Sequence, residues 1–288
     1  MKKSKLTPWL LLLPFLTVTA LVVVSVWNIL VQSLGVIPAF GLTEPTIEYY
    51  RQVLTSECII ASLGISLKIA FYSAAFATVL GVLVCAVLVG CGQRGIVHVV
   101  RLPMLVPHTV VALFIITICS QTGLIARWAA ALGIITDSAE FPQLLFTDSY
   151  AGVILAYLWK EIPFVAYFVL ALMSGISNTL GEAAENLGAS PLKSFFQITL
   201  PLSLPAITKA FLIIYIFAFG GYELPLILGA TVPKALPVQA YLSYMDPNLL
   251  NRPYAMAING VILLLSMAMA AVYGVLTSRL CRKIGGAA

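Results

Sequence analysis

Glu182-Ala183-Ala184-Glu185-Asn186-Leu187-Gly188-Ala189-Ser190-Pro191-Leu192-Lys193-Ser194-Phe195-Phe196-Gln197-Ile198-Thr199-Leu200-Pro201 lies between two long apolar runs, residues 150–172 and 206–228. Each run has about the 20 mostly apolar residues that cross a hydrocarbon core about 30 Å thick at about 1.5 Å per residue. A polar connection at residues 173–205, framed by two such runs, belongs to a chain whose solvent is lipid. Composition agrees: of 288 residues, 61% are hydrophobic and 9% charged, with a mean hydropathy of +1.03. A soluble domain carries roughly 25% charged residues, so this chain has too few to cover a water-facing surface.

Outward from those two runs, four more meet the same test, at residues 8–34, 62–90, 102–121 and 254–277. The expected fold is therefore an all-α integral membrane protein with six transmembrane helices. Residues 1–288 read as a single transmembrane domain, because no long polar stretch sets a soluble domain apart. Pro14, Gly64, Gly81, Pro107, Pro163 and Gly260 fall inside the runs. In lipid such residues permit close packing and kinks, and they do not argue against spans.

Charge fixes the orientation by the positive-inside rule. With the N-terminus in the cytoplasm, ten basic residues and two acids (Glu182 and Glu185) face inward, a net +8. Six basic residues and nine acids face outward, a net −3, and together these give the +5 of the chain. Both termini are accordingly expected in the cytoplasm. The basic balance is a topology signal and implies no nucleic acid. Lys2-Lys3-Ser4-Lys5 ahead of an apolar run has the form of a secretory signal, but the run is too long and lacks a clean small-residue cleavage site. It reads as an uncleaved first span. The five cysteines form no Cys-x-x-Cys pair, so neither a zinc site nor a disulfide framework is indicated. His98 and His108 read as boundary or packing residues.

The connection itself has the signature of ordered structure. Glu182-Ala183-Ala184-Glu185 favours helix, Gly188 is a natural C-terminal stop, and Ser190-Pro191 supplies an N-cap and first residue for a second short helix. Leu192, Phe195 and Phe196 give that helix an apolar side, and Pro201 and Pro205 are expected to break the chain before the next span. On physical grounds two readings stay open: a docking element for another protein, or an interfacial helix lying on membrane lipid.

Glu182-Ala183-Ala184, then Gly188, then Ile198-x-Leu200-Pro201 resembles the "EAA loop" of binding-protein-dependent ABC importer permeases, the MetI-like family. Three residues separate the alanine pair from the glycine and nine separate the glycine from the isoleucine, without a gap, and Ala189, Ser190, Phe195 and Pro205 fall where that family places similar residues. The stretch from Gly41-Leu42-Thr43 through Tyr50-Arg51-Gln52-Val53-Leu54 and the stretch Trp159-Lys160-Glu161-Ile162-Pro163-Phe164 are similar to further parts of these permeases. The resemblance implies a five-helix core with a first span that wraps around a partner. It also implies a coupling loop (Glu182, Ala183, Ala184, Gly188, Ala189, Phe195, Ile198, Leu200 and Pro201) that inserts into a groove on a separate ABC ATPase subunit. A second permease chain, identical or homologous, and an extracytoplasmic solute-binding protein complete the implied complex in a bacterial inner membrane. No Gly-x-x-x-x-Gly-Lys-Ser/Thr phosphate loop occurs in the chain. The chain is thus expected to bind no cofactor and to be no enzyme, with ATP and magnesium on the partner ATPase.

Ionisable groups at membrane depth are costly and by default mark function. Lys160 and Glu161 in the fourth span, and Gly220, Gly221, Tyr222, Glu223 and Pro225 in the fifth, are the candidates for a translocation pathway. Two glycines and a proline loosen the helix around Glu223, and unwound backbone at this depth is tolerated only in protein or along a cavity. The competing reading pairs Glu223 with Lys160 or Lys68 as a helix tie. Phe219-Gly220-Gly221-Tyr222-Glu223-Leu224-Pro225 is more similar to permeases for polyamines, iron, sulfate and phosphonates than to those for sugars. An ion-coupled secondary transporter is the alternative function, and it leaves the patterned loop unexplained. An intramembrane enzyme ranks behind both, since no Ser/His, paired Asp or His-Glu-x-x-His arrangement falls at membrane depth.

Overall fold

The computed structural model describes residues 7–91, 94–173, 183–184 and 186–285. Twelve labelled helices follow one another among the described residues: α1 Thr7–Ser33, α2 Glu48–Thr55, α3 Glu57–Cys91, α4 Arg94–Leu105, α5 His108–Cys119, α6 Leu124–Ala131, α7 Ala151–Met173, α8 Pro191–Ser194, α9 Leu200–Gly220, α10 Glu223–Leu228, α11 Leu236–Tyr244 and α12 Arg252–Gly285. A π-helical turn, Phe195–Thr199, joins α8 to α9. Among the described residues the only β pairing is a single bridge between Ile37 and Leu42. Six helical stretches are long and apolar enough to cross a membrane: Leu10–Ser33, Glu57–Leu88, His108–Ala131, Ala151–Ala171, Pro191–Gly220 and Leu249–Val275. Each expected span overlaps one of these stretches, the third only in part. α3, at 35 residues, is about 50 Å long and outreaches the hydrocarbon.

The chain forms two compact units. The first comprises residues 1–60 and 239–264. In α1 no residue of the most apolar window is buried. Its polar side chains satisfy themselves on their own backbone: Thr17 donates to the Leu13 carbonyl at 2.9 Å, Ser25 to Leu21 at 2.8 Å and Asn28 to Val24 at 3.0 Å. A helix whose polar groups are all satisfied internally can face hydrocarbon on all sides. In the same unit the hydroxyls of Ser33 and Tyr50 lie 2.8 Å apart, and Tyr50 fills the space where Gly260 lacks a side chain.

The second unit, residues 61–238 and 265–288, holds the candidate site. Its core gathers Ala74, Ala77, Cys85 and Ala86 of α3, Val165, Ala166 and Val169 of α7, and Ala210 and Ile214 of α9. Small residues let the backbones approach closely, as membrane packing without a hydrophobic drive requires. At Gly81 a Cβ would lie 2.5 Å from that of Val165, so only glycine fits between α3 and α7. α7 is the hub of this unit, packing against α4, α5, α9 and α10.

Two expectations are corrected here. The third run, residues 102–121, is not one helix: α4 ends at Leu105 and α5 begins at His108, because Pro107 removes a helical donor and holds its φ at −58° with ψ at 147°, outside the helical region. Conversely, Pro201 and Pro205 break nothing, and helix continues from Pro191 to Gly220. The π turn is the reason: the Leu200 amide donates five residues back to Phe195, which widens the turn ahead of the Pro201 ring. Hydroxyls of Ser203 and Thr208 bond back to the carbonyls of Thr199 and Leu204 at 2.7 and 2.9 Å, which satisfies these polar side chains within the helix.

Candidate functional site

α9 ends at Gly220 and α10 starts at Glu223, so the loosened stretch expected around Glu223 is a true helix break. Gly221 stands there with extended backbone (φ −74°, ψ 127°). A side chain at Gly221 would collide with the Tyr157 hydroxyl, whereas a Cβ at Gly220 would meet nothing within 4 Å. The break borders a cavity of about 220 Å³ lined by His108, Tyr157, Phe217, Gly221, Tyr222, Glu223 and Leu224. Phe217 is the central ring of its wall. The His108 ring lies 5.5 Å from it, and Tyr157 meets it edge-on at 6.3 Å. Glu223 and Tyr222 are exposed at the mouth, and Tyr157 is buried. Pro225, buried inside α10, does not line the cavity.

Lys160 has a different task from the one its charge suggests. Its Nζ donates to the Val106 carbonyl at 2.7 Å, the acceptor freed where α4 gives way to α5. A buried carbonyl left unpaired costs about 1–3 kcal/mol, so this contact supports the broken helix. Lys160 and its neighbour Glu161 are both nearly buried at 9% exposure. Among the described residues no ion pair joins Glu223 to Lys160 or Lys68; Lys68 donates instead to the Asp148 carbonyl at 3.4 Å. No close ion pair stands behind the helix-tie reading of Glu223, although Lys160 and Glu223 attract each other through space.

His108, read from sequence as a packing residue, lines the cavity, and among the described residues nothing hydrogen-bonds its buried Nε2. Tyr157 and Phe217 were likewise not singled out. A signal existed for Tyr157: it lies three and four residues before Lys160 and Glu161, on the same face of α7.

At the cytoplasmic connection, Glu182 and Glu185 lie outside the described residues. Gly188 takes a left-handed φ of +91°, and the Ala189 amide donates back to the Ala184 carbonyl at 3.0 Å. That is the bond of a glycine-terminated helix end. Ser190 caps α8 by accepting from the Lys193 amide at 3.4 Å, with Pro191 as first helical residue. Ala183 and Gly188 are exposed, and Ala184 and Ala189 are half-buried. Phe195 is buried in the core of its own unit, beside the π turn, while Ile198 and Leu200 are half-buried and Pro201 is exposed. Leu187, Leu192 and Phe196 present the outward apolar surface, at 89, 52 and 45% exposure.

Residues 77–282 match the family model described as "Binding-protein-dependent transport system inner membrane component". The chain is 25% identical over 240 residues to the sulfate transport system permease protein CysT of Escherichia coli strain K12, covering 82% of this chain and 83% of that one. It is 25% identical over 199 residues to the putrescine transport system permease protein PotI of the same strain, covering 68% and 65%. In fold it is similar to a chain in the crystal structure of a bacterial ABC transporter involved in the import of the acidic polysaccharide alginate, with a TM-score of 0.75 and 18% identity over 94% of this chain and 96% of that one.

Proposed function

Because the chain belongs to the family of binding-protein-dependent transport system inner membrane components, we propose that it carries a small polar or charged solute inward, of the polyamine, iron, sulfate or phosphonate classes, by alternating access. As a permease of this family it is a multi-pass inner membrane subunit. It works in a complex with a periplasmic binding protein and an ATPase, and ATP is bound on the ATPase. In the proposed assembly residues 1–288 act as one transmembrane domain with both termini in the cytoplasm, beside a second permease chain. Lys160, Glu161, Gly220, Gly221, Tyr222, Glu223 and Pro225 belong to the route: Glu223, Tyr222 and Gly221 face the solute, and Lys160 holds the α4–α5 break. Glu182, Ala183, Ala184, Gly188, Ala189, Phe195, Ile198, Leu200 and Pro201 form the coupling loop to the ATPase.

The observation that carries this reading is the turn at Gly188, with a left-handed glycine and the exposed Leu187, Leu192 and Phe196 around a capped helix start. Apolar side chains held in fixed places outside the bilayer are what a protein groove recognises. Phe195, anchored in the core, carries a push on that turn into α9. Nothing lies within 4 Å of a Cβ at Gly188, so a side chain there clashes with no atom of this chain, and its cost within the chain is the left-handed φ of +91°. In the reconstituted complex Gly188→Asp is expected to abolish binding-protein-dependent uptake while the chain still inserts and ATP is still hydrolysed. Unchanged uptake overturns docking through this turn.

A further inference from the structure

We propose that the cavity beside the α9–α10 break selects a cation, of the protonated-amine class, over an anion. This inference rests on the reading of that cavity as part of the route. Glu223 is the only acid among the lining residues, no lysine or arginine lines the cavity, and the carboxylate is exposed at its mouth. Lys160, the basic residue of the neighbouring helix, does not line the cavity: its Nζ is held on the Val106 carbonyl at 2.7 Å, and its charge acts on Glu223 and His108 only through space. The rest of the wall is aromatic: Phe217 with the His108 ring 5.5 Å away on one side and Tyr157 edge-on at 6.3 Å on the other, and Tyr222 at the opening. The faces of such rings carry negative charge density and attract ammonium groups, most strongly where water is excluded. An anion meets repulsion from the carboxylate and finds no lysine or arginine among the described lining residues.

Size agrees as well. Drug-sized ligands fill pockets of roughly 300–1,000 Å³, and at about 220 Å³ this cavity takes something smaller, on the scale of a short diamine.

The test places a thiol at the mouth with Tyr222→Cys, and at a second open position with Gly220→Cys, in the full chain assembled with its ATPase in liposomes. Labelling by a trimethylammonium methanethiosulfonate is compared with labelling by its sulfonate counterpart. Each rate is normalised to that reagent's reaction with free mercaptoethanol and corrected for labelling of the unsubstituted chain. The cationic reagent is expected to react roughly five- to tenfold faster, since a carboxylate about 6–8 Å away in a water-like dielectric favours a cation over an anion by that order. Glu223→Gln should remove the bias, and millimolar putrescine, unlike sulfate, should slow the labelling. Equal rates, or a faster anionic reagent, overturn the selection of cations and leave the route intact. Failure of both thiols to react with either reagent overturns the route itself, and the inference with it.

Discussion

At the scale of single residues, the break between α9 and α10 turns on two adjacent glycines with opposite surroundings. At Gly221 the Tyr157 hydroxyl occupies the space of a side chain, and at Gly220 that space is open. Gly221→Ala therefore has to displace a buried tyrosine or shift the start of α10, an overpacking that costs about 1–3 kcal/mol. Gly220→Ala meets no atom and belongs with the changes that stay within about 0.5 kcal/mol. Thermal unfolding of the two variants in detergent should separate them in that order, and equal stabilities would show that Tyr157 does not brace the break. Sequence displayed the glycine pair but could not rank its members, because the ranking depends on a side chain distant in the chain, that of Tyr157. Glu223 was legible for the same reason it is costly: an acid in an apolar run attracts attention wherever it points. Lys160 was legible as a charge and illegible as a support, since its acceptor exists only because Pro107 breaks another helix.

At the scale of elements, hydropathy found a long apolar stretch near each expected span, with the third displaced to His108–Ala131, because lipid demands about 20 apolar residues whatever the fold. It could not say which prolines interrupt a helix. Pro107 does, and Pro201 and Pro205 do not; a π turn ahead of Pro201 makes room for its ring. Gly188 and Ser190, by contrast, were readable directly, because a left-handed stop and an N-cap are settled by the residues themselves. The same local logic governs the loop between α6 and α7. Asp137 accepts from the Ala139 amide at 3.0 Å and from the Ser138 hydroxyl at 3.2 Å, and Glu140 accepts from the Thr136 amide at 2.7 Å and the Thr136 hydroxyl at 2.9 Å. These donors, the backbone amides foremost, hold both carboxyls below their ordinary values. A depressed folded value stabilises the turn above the unfolded values, about 3.9 for Asp and about 4.3 for Glu, and the stabilisation is lost as pH falls through the lowered folded values. Amide shifts of Ala139 and Thr136, followed from about pH 6 to about pH 2, should therefore move with midpoints below those reference values. Midpoints at or above them would mean the turn does not hold its caps in solution.

At the scale of the whole molecule, the arrangement of charge is what supports the proposed orientation, which neither helix geometry nor family membership supplies. The half assigned to the inside carries ten basic residues against two acids, and the half assigned to the outside carries nine acids against six basic residues. Lysine and arginine resist translocation while short acidic loops cross readily, so the asymmetry is energetic and not an accident of counting. With six spans an even count returns the C-terminus to the side of the N-terminus, and the basic run Arg279, Arg282 and Lys283 then sits with Lys2, Lys3 and Lys5. The alternative places the exposed Leu187, Leu192 and Phe196 outside, where no ATPase could meet them, and puts the cap-stabilised turns at Asp137 and Asp246 in the cytoplasm. The two orientations separate cleanly by fusing alkaline phosphatase, whose disulfides form only in the oxidising periplasm. Fusions after Gly133 and after Asp246 should be enzymatically active, and a fusion after Ser190 inactive. The reverse pattern would move the coupling turn to the wrong face of the membrane, and the route beside Glu223 would then have to be driven by something other than an ATPase.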